Sequence, residues 1–215
     1  MPSTKTAPRI GVLAIQGDYE AHGMALEEVG AQPSLVKTPE QLDGLDGLVM
    51  PGGESTTMLK FLERGGFFEA LKDFANQKPV FGTCAGAILL AKDVRNPHQA
   101  SLGVLDIAVE RNAYGRQTDS AILELETSLP EWQELGPLET VFIRAPRIIS
   151  VGPDVQVLVE RGGFPVLVRE GKNMAATFHP ELSADRRVHK LFVDAVESWR
   201  SGENAPDKVN SVAAS

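Results

Sequence analysis

The sequence predicts an α/β fold: three layers, with a mostly parallel central sheet flanked by helices and carrying an antiparallel extension. Three observations lead there. Short aliphatic and β-branched runs alternate with amphipathic stretches through the N-terminal half, the pattern of strands interleaved with helices around a parallel sheet. Several runs end on glycine-rich turns that open into helix-like segments. From Leu102 to Val168 strand-like runs follow one another with few helical stretches between them, which fits antiparallel strands added to the sheet.

The elements read in order as follows. Residues 10–15 form the first strand and lead into Gln16-Gly17-Asp18, where the aspartate is placed to cap a helix running to Val29. Met24, Leu26 and Val29 give that helix an apolar face, and Gly30 stops it. Leu35 and Val36 mark a second strand, and residues 48–50 a third that ends at Pro51-Gly52-Gly53. A helix begins near Ser55 or Thr56 and ends around Gly65-Gly66, and residues 67–75 form another. Val80-Phe81, between Lys78-Pro79 and a glycine-flanked turn, reads as a buried strand. Strand-like runs follow at 104–110, 121–125, 141–143, 155–160 and 165–168, and a last strand at 173–178. Pro180 then precedes a helix over 184–200 with Val188, Leu191, Phe192 and Val196 on one face. One domain over 9–200 is expected, with a polar N-terminal extension at 1–8 and a mobile polar tail at 201–215.

Composition narrows the function classes. A formal net charge of −8, with no clustered Lys and Arg, argues against nucleic acid and leaves a small molecule or a protein as partner. No apolar run approaches the roughly 18 to 20 residues needed to span a bilayer, so a cytoplasmic protein is expected. The single cysteine excludes an intramolecular disulfide and a multi-thiolate zinc site, and no metal is expected. Cys84 is then either inert core or a reactive thiol.

Its context points to the second. Gly82-Thr83-Cys84-Ala85-Gly86 lies between a strand and the Ile88-Leu89-Leu90 helix, a G-x-C-x-G form of the nucleophile elbow. Such a turn thrusts its central side chain out of the sheet, and the start of a helix favours the thiolate. Of the four histidines, His22 and His189 fall within helices and read as surface or half-buried positions, while His98 lies in the Asn96-Pro97-His98 loop. His179 instead follows the last strand directly, at the strand end where catalytic groups of parallel sheets collect. Two residues on, Glu181 is spaced to return its carboxylate to the imidazole and fix its tautomer, although a capping role before the last helix is the plainer alternative. Acyl transfer needs oxyanion donors: the Gly53 N–H in Pro51-Gly52-Gly53-Glu54-Ser55 and the Ala85 N–H are the candidates. That glycine turn could also hold a phosphate, but it matches neither standard phosphate-loop pattern.

Together these segments resemble class I, triad-type glutamine amidotransferase domains, whose fold is flavodoxin-like. With Pro51-Gly52-Gly53-Glu54-Ser55-Thr56-Thr57, residues 110–117 (Glu110-Arg111-Asn112-Ala113-Tyr114-Gly115-Arg116-Gln117), Phe142-Ile143-Arg144-Ala145-Pro146, Phe178-His179-Pro180-Glu181 and the early Leu13-Ala14-Ile15-Gln16-Gly17-Asp18, the chain is similar to the glutaminase subunits of pyridoxal 5′-phosphate synthase from about Ile10 to Trp199. The resemblance implies that L-glutamine is hydrolysed through a Cys84 thioester, without a cofactor. The ammonia would pass to a separate synthase subunit that builds pyridoxal 5′-phosphate from ribose 5-phosphate and glyceraldehyde 3-phosphate. It further implies a glutamine site lined by Gly53, Glu54, Ser55, Arg111, Ile143 and Arg144. It places the Gln16-Gly17 turn against the synthase and makes the free subunit poorly active. From the residues alone, Arg111 and Arg144 read equally as surface or ion-pair positions. Two other readings compete: a stand-alone cysteine hydrolase, such as a peptidase or γ-glutamyl hydrolase, would be active without a partner, and a non-enzymatic scaffold would show a broken triad.

Overall fold

The computed structural model describes residues 6–112 and 120–202. The predicted tail from residue 203, the first five residues of the N-terminal extension and the Ala113 to Gln117 part of one motif lie outside the described residues. The elements are β1 (Arg9–Leu13), α1 (Tyr19–Glu28), β2 (Gln32–Val36), β3 (Gly47–Met50), α2 (Ser55–Leu62), α3 (Phe67–Gln77), β4 (Val80–Thr83), α4 (Ala85–Leu90), β5 (Ala91–Arg95), β6 (Leu105–Glu110), β7 (Ser120–Leu125), α5 (Pro130–Gln133), β8 (Leu138–Ile143), β9 (Arg147–Val151), β10 (Gln156–Arg161), β11 (Phe164–Glu170), β12 (Asn173–Ala176) and α6 (Arg187–Ser201).

Seven strands form the central sheet in the order β10-β11-β12-β4-β3-β1-β2. The five from β12 to β2 are parallel, and β11 and β10 add the antiparallel extension. The extension is narrower than the sequence suggests: β6 pairs with β5 and β9 in a separate sheet, and β7 with β8 in another. Two strands, β5 and β9, escape sequence reading because each carries charged or polar residues in only five positions, too few for a period to emerge.

Strand alternation builds two cores. Leu13, Leu48, Met50 and Val80 face one side and pack with α2, α3 and α4, while Ile10, Val12, Val49 and Phe81 face the other and pack with Leu26 of α1 and Phe192 and Val196 of α6. Of the apolar face assigned to α1, Leu26 is buried and Val29 packs against the core, but Met24 is 58% exposed, and His22 and Ala25 take the buried places beside Leu26. Asp18 does occupy the N-cap position of α1, but its side chain makes no capping hydrogen bond.

From β1 the chain goes outward to β2 and then back across to β3 and β4, so the strand order reverses beside β1. In open parallel sheets such a reversal opens a crevice at the carboxyl ends of the strands, because successive loops diverge there. The loops after β1, β3, β4 and β12 all emerge at this edge, and they carry Gln16-Gly17, Gly52-Gly53, Cys84 and His179.

Candidate active site

Cys84 sits between β4 and α4 with φ 49° and ψ −104°, a left-handed conformation that costs a non-glycine residue about 1 to 3 kcal/mol. Local packing pins it there. A Cβ on Gly82 would lie 2.5 Å from the Gly86 carbonyl, and one on Gly86 would lie 1.9 Å from the Met50 carbonyl oxygen, so both glycines of the elbow are required by close backbone approach. The Cys84 N–H donates to the Ala176 carbonyl at 2.8 Å, tying the elbow to the strand that leads to the histidine.

The His179 N–H in turn donates to the Val141 carbonyl at 2.8 Å, which fixes the histidine against β8. Its Nδ1 lies 2.7 Å from Glu181 Oε1, with the Glu181 side chain wholly buried. The turn at Pro180 starts a short 3₁₀ helix over Pro180–Leu182 that brings the carboxylate back under the ring. Burial pulls the His179 pKa down, but the Cys84 sulfur and the Glu181 carboxylate on its two sides outweigh that and raise it from 6.5 to about 10. The arrangement favours the protonated imidazole. Gly52 closes the arrangement from the β3 side: a Cβ there would lie 2.5 Å from His179 Cε1 and 3.3 Å from Cys84 Cβ. Sequence reading did not single out Gly52, although its place two residues after a strand end was a usable signal.

A cleft of about 410 Å³ opens over the elbow, and Gly53, Glu54, Ser55, Cys84, Ala85, Arg111, Ile143, Arg144 and His179 all line it. Every residue predicted for the site but Glu181 thus lines the cleft, and Glu181 lies behind His179. What each side chain does there differs. Glu54 caps α2, its carboxylate accepting from Thr56 N at 3.0 Å, Thr57 N at 2.7 Å and Thr57 Oγ1 at 2.6 Å, and its own N–H is taken by Gln16 Oε1 at 2.9 Å. Ser55 donates its hydroxyl to Gln99 Oε1 at 3.1 Å. Arg111 donates from Nη2 to Thr56 Oγ1 at 2.6 Å and lies 3.7 Å from Glu54 Oε1, while its buried Nε has no partner among the described residues. Arg144 is exposed and held at φ 44°, a strained backbone that turns the end of β8 over the cleft. Gly53 has φ 135°, which a side chain would resist.

The sequence profile of the SNO glutamine amidotransferase family matches residues 12–198. The chain belongs to that family. Among its SNO-type relatives, the pyridoxal 5′-phosphate synthase subunit PdxT of Koribacter versatilis is 59% identical over 195 residues, covering 91% of this chain and 99% of the relative. The PdxT of Thermotoga maritima is 50% identical over 190 residues, 88% of this chain and all of the relative. A solved structure described as a glutamine amidotransferase superimposes with a TM-score of 0.79 at 44% identity, covering 87% of this chain and 98% of that one. A second, PurLQS from Thermotoga maritima, shares the fold at TM-score 0.68 with 18% identity.

For this SNO-family chain, two sequence readings need correction. His22 and His189, read as surface or half-buried helix positions, are both fully buried. They meet each other, His22 Nδ1 lying 3.0 Å from His189 Nε2, because α1 and α6 pack side by side on the sheet. His98 stays outside the cleft lining, its ring against the Val94 carbonyl at 3.2 Å.

The cap formed by Glu54 yields a stability prediction. Its hydrogen bonds, led by that from the Thr57 hydroxyl, hold its carboxyl down from 4.5 to about 2. A depressed folded-state pKa stabilises above the unfolded value and loses that contribution as pH falls through the folded one. Glu54→Ala is expected to cost about 0.5 to 1 kcal/mol near pH 7, the low end for a cap because the carboxylate is largely exposed. In urea unfolding of both proteins, the gap should narrow as the pH is lowered from 4.5 toward 2.

Proposed function

We propose that this chain hydrolyses L-glutamine at Cys84 and supplies the ammonia to a pyridoxal 5′-phosphate synthase subunit; its membership of a glutamine amidotransferase family and its similarity to pyridoxal 5′-phosphate synthase subunits support the reading. The observation that carries the reading is the buried series Cys84, His179, Glu181 at the base of a cleft lined by Arg111.

The chemistry follows from that series. His179 takes the Cys84 proton and the sulfur attacks the side-chain carbonyl of glutamine, forming a C–S bond and moving the π electrons onto oxygen. The Gly53 and Ala85 N–H groups are the proposed donors to that oxyanion; Glu54 N–H is unsuited, being bonded to Gln16. Ala85 begins α4, where the first N–H groups have no helical acceptor. Collapse breaks the C–N bond as His179 gives its proton to the leaving nitrogen, and ammonia departs. Water then loses a proton to His179, attacks the thioester and releases glutamate with the thiolate restored.

Substrate recognition is assigned to the rim. Arg111 lines the cleft, and its guanidinium is the proposed partner of the α-carboxylate of glutamine through charge-assisted bonds. Gly53, Glu54, Ser55, Ile143 and Arg144 complete the glutamine site. Ser55 contributes shape rather than its hydroxyl, and Glu54 a fixed negative charge facing the α-amino group.

The reading is tested by glutamate release from glutamine, measured for the purified chain alone and mixed with the synthase subunit. Release is expected to rise strongly on mixing. A chain fully active alone and indifferent to the synthase would retire the partnership and favour the stand-alone hydrolase; no release under either condition would retire glutamine as substrate.

A further inference from the structure

The triad does not end at Glu181. Only one of its carboxylate oxygens faces His179; the other, Oε2, is buried and accepts no well-aligned hydrogen bond. A carboxylate oxygen left short of a donor in a dry interior is costly. His22 Nε2 stands 3.2 Å from it, and both side chains are fully buried. The same Nε2 lies 3.2 Å from Thr83 Oγ1, the residue immediately before the nucleophile. His22 Nδ1, on the far side of the ring, meets His189 Nε2 at 3.0 Å, and His189 Nδ1 has no partner among the described residues.

These contacts select a tautomer. Burial, with His189 and His179 nearby, drives the His22 pKa well below 6.5, so the ring is neutral and carries one proton. Were that proton on Nδ1, the bare Nε2 would face a carboxylate oxygen at 3.2 Å, lone pair against lone pair, and His189 would be left with a buried donor unsatisfied. With the proton on Nε2, that N–H lies between two acceptors, Glu181 Oε2 and the Thr83 hydroxyl oxygen. Nδ1 accepts from His189 Nε2–H, and His189 Nδ1 is left as a bare acceptor, the cheaper orphan.

We infer that His22 is a positioning residue for the reaction: through Nε2–H it anchors the second oxygen of Glu181 and the Thr83 side of the elbow, keeping the carboxylate aligned on His179 while the imidazole exchanges its proton. It touches neither glutamine nor the reacting atoms. Its place on α1, a helix that packs on α6 and over the end of the sheet, makes the first helix part of the catalytic frame. The surface ion pair of Arg186 with Glu28, at 2.5 Å, lies beyond His189, and burial first, then Arg186, hold the His189 pKa down to about 4. Both rings therefore remain neutral relays of hydrogen bonds rather than competing charges against His179.

The inference rests on the triad reading, and the test separates the two. In uniformly ¹⁵N-labelled wild-type protein, two-bond ¹⁵N–¹H correlations of the histidine rings, assigned with the His22→Gln variant, report which nitrogen of His22 carries the proton. Nε2–H is expected, and Nδ1–H would overturn the inference without touching the triad.

Glutaminase kinetics with the synthase subunit present supply the second arm. His22→Phe removes both ring nitrogens and should lower kcat by about tenfold or more with KM within about twofold, whereas His22→Gln, whose amide reaches the position of Nε2–H, should recover most of that loss. In a Glu181→Gln background the same His22→Phe change should cost little further, because its partner charge is already gone. A folded His22→Phe protein with wild-type kcat, or a full and additive loss in the Glu181→Gln background, would overturn the inference. If His22→Phe does not fold, the wild-type tautomer decides alone. Loss of all dependence on Cys84 would instead sink the triad itself.

Discussion

Replacing Cys84 with alanine is expected to abolish glutamine hydrolysis, with glutamate release in the presence of the synthase falling by a factor on the order of 10⁴ or more. The size follows from what is lost. Alanine has no electron pair to form the C–S bond, and no other cysteine exists in the chain to substitute. The oxyanion donors and the rim remain, so glutamine should still bind, and the loss should appear in kcat rather than in binding. The substitution also removes one of the two groups that hold the His179 proton. Its pKa should fall from about 10 toward the ordinary range, because burial, which pulls it down, would then oppose Glu181 alone. A His179 titration by NMR in Cys84→Ala checks this directly. Undiminished hydrolysis in the variant would overturn the mechanism.

How much of this was legible in the sequence depends on the range of the interactions. The turn that holds Cys84 was legible because it is a local device: strand, Thr83, Cys84, Ala85 and helix are consecutive, and the two flanking glycines answer to close backbone contacts. His179 and Glu181 were legible for the same reason, since a strand end and a two-residue spacing are local facts. The centre of the parallel sheet could be read from the short apolar runs of β1, β3 and β4, buried on both faces. His22 could not. Its burial depends on α1 meeting α6 across a separation of 167 residues, and a histidine in a helix otherwise favours the surface. Helix periodicity misplaced one residue of the α1 stripe, Met24, for a related reason. The buried face of that helix is small and partly polar, made of His22, Ala25 and Leu26, so Met24 stood out as the hydrophobic residue while facing solvent. The division of the later strands into one extension and two small sheets was likewise a matter of pairing partners, which a strand's own residues do not specify.

The roles of the rim residues required geometry for a different reason. Motif matching brought Glu54, Ser55 and Arg111 to the cleft together, yet each carries more than one polar atom, and only the partners decide which atom remains for a ligand. Glu54 spends its carboxylate on α2 and its N–H on Gln16. Arg111 spends Nη2 on Thr56, and its Nε is buried. The loop after β1 thereby braces the loop after β3 through one side-chain amide, so a partner that moved Gln16 would move the Gly53 to Glu54 peptide with it.

Gly86→Ala is expected to destabilise the protein by roughly 3 kcal/mol and to lower its melting temperature by about 6 to 12 °C, even though it places a better helix former inside a helix. Propensity alone would favour alanine by about 1 kcal/mol. Against it stands the approach of the new Cβ to within 1.9 Å of the Met50 carbonyl oxygen and 2.8 Å of the Met50 carbonyl carbon. These are backbone atoms at the end of β3, hydrogen-bonded into the middle of the sheet, and they cannot swing aside as a flexible side chain would. Either α4 lifts from the sheet or β3 is displaced. Lifting α4 also carries the Ala85 N–H and the Cys84 thiol away from His179, so hydrolysis should fall further than stability requires. Gly23→Ala is the matched control: the same chemical change within α1, where an added Cβ meets nothing within 4 Å, should leave stability unchanged or raise it by up to about 1 kcal/mol. Thermal unfolding of the two variants beside wild type measures the contrast. Equal effects would mean that the elbow tolerates a larger separation between α4 and β3 than the close contact at Gly86 implies.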